Sequence, residues 1–141
     1  MSTKILYSTS ARATGGRDGH SATLDGAVDV NLAVPKEMGG NGGGVNPEQL
    51  FATGYAACFL GAMKFVASQG GSSNVPADAT VTSTVGIGLR SEGGFGLEIA
   101  LAIDLPGVPR EQAKALVAKA HEVCPYSNAT RNNIDVQLTI V

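Results

Sequence analysis

The sequence predicts an α+β fold in which antiparallel sheet packs around one buried central helix, in the element order βββ-α-ββ-α-β. Three observations carry this. Strand-like segments of alternating character, bounded by Gly, Pro, Asn and Asp, recur on both sides of a long apolar stretch. That stretch, Asn46–Gly70, is apolar on every face between Leu50 and Ala67 apart from Thr53 and Lys64, the pattern of a buried helix. The strand-like segments come in hairpin-spaced groups, with no βαβ repeat.

Taken in order, Lys4–Ala13 alternates loosely and carries Ser, Thr and Tyr, as a strand does. Gly15-Gly16 breaks it, and Arg17-Asp18-Gly19 makes a turn. His20–Leu24 and Ala27–Val34 are strands about a two-residue Asp25-Gly26 hairpin, completing a three-stranded meander. Residues 35–45 form a flexible loop containing GGNGGG, without the lysine that a phosphate-binding glycine loop requires. The central helix then opens with Asn46 as cap, Pro47 at the first position and Gln49 as capping-box partner. Residues 70–77 are a loop of small and polar residues. Asp78–Arg90 and Leu97–Leu105 are strands joined across Ser91–Gly96. Pro109–Val123 is a helix with Ala113, Leu116, Val117, Ala120 and Cys124 on one stripe, stopped by Pro125. A polar loop over Tyr126–Asn133 leads to a last strand, Ile134–Val141.

At 141 residues the chain is expected to form one domain, residues 1–141, with a core made lean by 19 glycines. A net charge of −2 with both signs scattered offers no surface for nucleic acid. The N-terminus lacks an apolar segment of the secretory kind, and the one long apolar run is short, capped and interrupted, so no membrane association is expected. A cytoplasmic location follows, where two cysteines rest as thiols and a disulfide between them is transient and functional. Few strands must cover a helix that is apolar all round. Either the second helix covers the other face, or a second copy of the chain does; an intertwined homodimer with paired central helices is the simpler solution.

The chemistry centres on Cys58 and Cys124. Cys58 shares a stripe with Phe51, Tyr55, Ala62 and Phe65, at steps of four and three. Both cysteines are compatible with a role as small buried hydrophobes. A zinc site built from Cys58, Cys124, His20 and His121 lacks every usual ligand spacing, so no metal is expected. If the pair is redox-active, the attacking sulfur must be a thiolate. Cys124 ends a helix, where the macrodipole disfavours a thiolate, and precedes a loop, which suits a resolving thiol. Cys58 has apolar surroundings and needs a specific cation. Among Arg12, Arg17, Arg90, Arg110 and Arg131, the arginine on the GGRDG turn is presented at least steric cost, and Glu48 can anchor it. A straight helix separates Glu48 from Cys58 by about 15 Å, so the arrangement requires a break, as at Gly54, or a reach across a dimer.

Four segments, GGRDG (Gly15–Gly19), NPEQLFATGYAACF (Asn46–Phe59), VCPYSNATR (Val123–Arg131) and NIDVQL (Asn133–Leu138), resemble the organic hydroperoxide resistance proteins, the Ohr branch of the OsmC family. The resemblance runs the full length and departs at Asn132, where glycine is expected. It implies an intertwined α+β homodimer. By position it makes Cys58 the peroxidatic and Cys124 the resolving cysteine, with Arg17 and Glu48 activating the thiolate. It further implies reduction of alkyl and fatty-acid hydroperoxides to alcohols, with no bound cofactor. Recycling would come from an external dihydrolipoyl group, as dihydrolipoamide or on a lipoylated protein. Phe51, Tyr55 and Phe65 would then line a pocket for the alkyl tail. The contrasting expectation is a non-catalytic dimer that binds an apolar ligand beside inert thiols.

Overall fold

The computed structural model describes residues 2–70 and 74–141, so part of the loop expected over residues 70–77 lies outside the described residues. The chain divides into two compact units, Met1–Leu50 and Phe51–Val141.

The first unit holds a three-stranded antiparallel sheet, β1 (Ala11–Thr14), β2 (His20–Thr23) and β3 (Asp29–Asn31), in that order. Only the last few residues of the strand expected over Lys4–Ala13 pair, since β2 offers partners from Thr14 back to Ala11 and no further. Ile5, Leu6 and Tyr7 are left exposed. The β2–β3 connection is also longer than a two-residue hairpin. The Thr23 N–H donates to the Val28 carbonyl (2.8 Å), and Asp25 caps the loop by accepting from the Thr23 hydroxyl and the Ala27 N–H. An aspartate that can bond its own neighbours closes a wider turn than the dipeptide alone suggests.

The central helix α1 runs unbroken from Pro47 to Ser68. Its start is the expected reciprocal cap: Asn46 Oδ1 accepts from the Gln49 N–H at 2.9 Å, and Gln49 Oε1 accepts from the Asn46 N–H at 3.0 Å. No break occurs at Gly54. The glycine serves packing instead, because a Cβ there would lie 2.9 Å from the Tyr126 hydroxyl oxygen. By length and composition α1 is apolar enough to cross a membrane. Its Tyr55, Phe59, Ala62 and Met63 are nonetheless packed into the core of the second unit. The opposite positions Ala57, Gly61, Lys64 and Phe65 are exposed. Within the second unit one face of this helix is covered, because the β4–β5–β6 sheet and α2 pack on the same stripe.

The second unit contains a three-stranded sheet of β4 (Thr80–Leu89), β5 (Phe95–Asp104) and β6 (Gln137–Ile140). The long β4–β5 hairpin is antiparallel throughout, from Thr80 opposite Asp104 to Leu89 opposite Phe95. Alternate residues Ile99, Leu101 and Ile103 of β5 face the core. Against them pack the α1 stripe and the apolar face of α2 (Arg110–Val123), with Ala113, Leu116, Val117 and Ala120 buried.

Two features depart from the expected order. Residues after Pro125 form a short helix, α3 (Pro125–Thr130), rather than a polar loop. Proline ends one helix but also suits the first position of the next, since its missing N–H has no helical partner there. Second, β6 pairs with β5 in parallel, Ala100 opposite Gln137 and Ile103 opposite Ile140, so this sheet is mixed. The crossover that a parallel pair requires is supplied by α2 and α3.

Asn132 explains its own departure from the glycine expected there. Among the described residues it is the one non-glycine with positive φ, at 64°, where the backbone turns from α3 toward β6. Asparagine tolerates that left-handed region; branched side chains do not. Asn132→Gly should leave the urea midpoint unchanged or raised, whereas Asn132→Val should cost about 1–2 kcal/mol. Equal midpoints for the valine variant and the parent chain would remove this account of the corner.

Candidate active site

The structure brings the predicted residues together in two pairs, one in each unit. In the first unit, the GGRDG segment folds as a tight corner, with Arg17 in a single 3-10 turn over Gly16–Asp18. Gly15 and Gly16 adopt φ of 72° and 61°, and a Cβ on Gly19 would stand 1.8 Å from the Thr14 carbonyl oxygen. Only glycine fits such a corner. The corner aims Arg17 at Glu48 in a bidentate pair, Nη1 to Oε2 at 2.9 Å and Nη2 to Oε1 at 2.7 Å. Fork-to-fork geometry of this kind fixes the guanidinium in orientation as well as place. The hydrogen bonds from Arg17 hold the Glu48 carboxyl below its ordinary pKa, and Glu48 in turn raises that of Arg17.

In the second unit the cysteines meet. Cys58 Sγ of α1 lies 3.5 Å from Cys124 Sγ, with both sulfurs as free thiols. Cys124 is fully buried and Cys58 partly exposed. A disulfide needs the sulfurs about 2.05 Å apart, a closure within reach of small side-chain rotations. Cys124 is extended (φ −65°, ψ 125°), between the last turn of α2 and the first of α3. The negative end of one helix and the positive end of the next face each other at this residue. Burial pushes the Cys58 thiol up to about 11; the Tyr126 N–H bonded to its sulfur acts against burial, while Cys124 adds to it. At neutral pH, surroundings of this kind keep Cys58 a thiol.

Of the aromatic stripe, Phe51 and Tyr55 are in place. With Tyr126 they form a cluster of three rings, centroids 5.7 to 6.2 Å apart, in tilted and edge-on contacts. Phe65 is 57% exposed and outside this cluster. It shares the stripe by angle, but fourteen residues of helix carry it about 21 Å along the axis from Phe51. Sequence reasoning passed over Tyr126, whose N–H faces Cys58, and Ser127, whose buried hydroxyl bonds to the Tyr55 hydroxyl at 2.7 Å and to His121 Nδ1 at 2.8 Å. The available signal was Pro125 read as a helix start. The zinc set does not assemble: His20 Nε2 is paired with Asp29 (2.5 Å) and His121 with Ser127. Among the described residues no group of three or more His, Cys, Asp or Glu is placed to hold a metal.

Known proteins match this chain over most of its length. The family model described as OsmC-like protein matches residues 40–139. An organic hydroperoxide resistance protein of Xanthomonas axonopodis pv. citri is 54% identical over 138 residues, spanning 97% of this chain and 96% of its own. The organic hydroperoxide resistance protein OhrB of Bacillus subtilis is 41% identical over 136 residues, 96% of this chain and 98% of its own. The crystal structure of an organic hydroperoxide resistance protein from Legionella pneumophila superimposes with a TM-score of 0.91 at 52% identity, covering 97% of this chain and 98% of that one.

The Glu48–Arg17 pair has a pH signature. A carboxyl with a depressed folded pKa contributes stability above its unfolded value and loses it as pH falls through the folded one. Below about pH 4.5 the parent chain should therefore lose urea resistance more steeply than Glu48→Gln, which has no carboxylate to protonate. Parallel acid limbs for the two proteins would show that the pair contributes nothing to folding.

Proposed function

The chain belongs to the organic hydroperoxide resistance branch of the OsmC family, and from that premise we propose that it is a cysteine-based peroxidase for organic hydroperoxides. The single observation that carries the reading is the pair of free thiols 3.5 Å apart, one buried and one reachable from solvent. Cys58 is the attacking sulfur, because it is the more accessible of the two and the Tyr126 N–H is directed at it. Its thiolate takes the distal oxygen of the hydroperoxide, the O–O bond breaks, and the alcohol leaves with a proton. Cys124 then attacks the sulfenic sulfur, forming the Cys58–Cys124 disulfide and releasing water. The rings of Phe51, Tyr55 and Tyr126 beside Cys58 favour an alkyl tail over bare hydrogen peroxide.

A thiol held near 11 reacts slowly at neutral pH, so the enzyme needs a cation at Cys58. We assign that cation to Arg17, oriented by Glu48; the ion pair and the matching family motifs support the assignment. The resting enzyme is taken to be cytoplasmic and to hold no cofactor. Reduction of the disulfide is assigned to a dihydrolipoyl group, free or protein-linked. A dithiol completes the second exchange intramolecularly, at high effective concentration, and a monothiol cannot. If glutathione sustains turnover as well as dihydrolipoamide, this assignment is wrong.

The functional unit is assigned as an intertwined homodimer. The exposed apolar positions of α1 and of the N-terminal segment Ile5–Tyr7 support it, since a second copy would remove both from water. Sedimentation at micromolar concentration should give twice the chain mass; a stable monomer would exclude it.

Intact mass after one equivalent of cumene hydroperoxide tests the chemistry. The parent chain should lose two hydrogens and two titratable thiols together. Cys124→Ser should gain one oxygen, trapped by dimedone, and Cys58→Ser should remain unmodified. Arg17→Ala should move the alkylation profile of Cys58 toward pH 11 and slow the first step far more than it lowers stability. Thiols that persist in the parent chain would instead favour a non-catalytic binder.

A further inference from the structure

Ser127 lies within a buried arrangement that the peroxidase chemistry does not itself use. Its hydroxyl is fully buried and bonds to two side chains, Tyr55 of α1 at 2.7 Å and His121 of α2 at 2.8 Å. Each of the three residues stands three positions from a cysteine: Tyr55 before Cys58, His121 before Cys124, and Ser127 after Cys124. On helices that spacing is nearly one turn. The strut therefore joins α1, which carries Cys58, to α2 and α3, which flank Cys124, about one turn away from the sulfurs. Thr130 adds a hydrogen bond from its hydroxyl to the Ser127 carbonyl at 3.1 Å. A polar cluster inside an apolar core is costly unless every member is satisfied, and here satisfaction requires the three helices to hold one arrangement.

We propose that Ser127 is a positioning residue for the condensation step: by tying α1 to α2 and α3 it holds Cys124 and the Tyr126 N–H against Cys58, and His121 makes that tie sensitive to pH. The inference deepens the peroxidase reading and rests on it for the origin of the sulfenic acid. While the tie holds, Cys124 sulfur attacks Cys58 sulfur, the S–O bond breaks, and the hydroxyl leaves as water with the Cys124 proton. When it loosens, the sulfenic acid persists and a second hydroperoxide carries it to sulfinic acid.

The proton inventory gives the pH dependence. With His121 neutral and its proton on Nε2, the Tyr55 hydroxyl donates to Ser127 and the Ser127 hydroxyl donates to His121 Nδ1. Burial, and after it the charge of Arg131, keep His121 neutral to a lower pH than an ordinary histidine. Protonation at Nδ1 turns His121 into a donor. The Ser127 proton must then turn to Tyr55, and the Tyr55 proton is left with Thr130 Oγ1 at 3.5 Å, a poor bond. The groups around His121 are few. Arg131 donates to its carbonyl at 2.6 Å, and α1 presents the ring of Phe59 at 6.5 Å. Asp135 lines a cavity of about 440 Å³ with His121 and Arg131, which opens this side to solvent, and on its own helix Lys119 and Glu122 pair with each other.

The test measures the fraction of Cys58 reaching sulfinic acid against disulfide, by intact mass, with cumene hydroperoxide across about pH 5.5 to 7.5. Ser127→Ala should raise the sulfinic fraction about fivefold or more at neutral pH, the size expected from losing hydrogen bonds of ordinary strength. His121→Asn, which keeps an acceptor near the Nδ1 position without a titrating ring, should match the parent chain at neutral pH. Toward acid, the parent chain alone should show the added rise in sulfinic acid. Identical partitions and pH profiles in parent, Ser127→Ala and His121→Asn chains would overturn the proposal. Diamide provides an arm that needs no peroxidase activity: Ser127→Ala should close the disulfide several-fold more slowly than the parent chain, and equal closure counts against the strut. A parent chain that closes with diamide yet ignores cumene hydroperoxide overturns the peroxidase reading, and the diamide comparison then decides the strut on its own.

Discussion

The second unit depends on one constraint: the Tyr55 hydroxyl is fully buried in an apolar cluster and must find a partner there. An unbonded hydroxyl in such a place costs about 1–3 kcal/mol. Ser127 supplies the bond, and to do so α3 must begin immediately after Cys124 and lie against α1. Gly54 leaves room for the Tyr126 ring, which fills the space beside Phe51 and Tyr55. Once α3 is seated in this way, the Cys124 corner is fixed and its sulfur stands 3.5 Å from Cys58. The meeting of two cysteines distant in sequence is thus a consequence of packing around a single hydroxyl.

The first unit solves a different problem. A guanidinium on a loop loses much side-chain entropy when it is fixed, and a single hydrogen bond seldom offsets that. Here the loop is shortened to a glycine corner whose geometry excludes other residues, and the carboxylate opposite takes both prongs of the fork. Glu48 itself sits in the first turn of α1, where the helix dipole favours an anion. Charge and orientation at Arg17 are therefore set within this unit by its pairing with Glu48. The cysteine pair shows the opposite bias: burial raises the Cys58 pKa and favours its neutral thiol.

Much of this was legible in the chain. The capping box of Asn46 and Gln49 is a local signal read by local hydrogen bonds, and the structure reproduces it atom for atom. The alternation in β5 and the stripe of α2 state which faces are buried, and those faces form the core. Pro125 was ambiguous, because the same residue stops one helix and starts another; only docking against Tyr55 favours the second. Phe65 shares the stripe by angle yet is exposed and apart from the ring cluster, since helical periodicity carries no information about where the covering elements end.

By itself the sequence determined the elements, the faces they bury, and the residues that carry sulfur and charge, because each of these is set by contacts within a few positions along the chain. Tertiary structure alone decided that β6 runs parallel to β5, that Gly54 is a packing notch rather than a hinge, and that Ser127 ties three helices together. Those outcomes rest on contacts between residues far apart in sequence, where the energy of burying one hydroxyl or seating one ring outweighs any local preference.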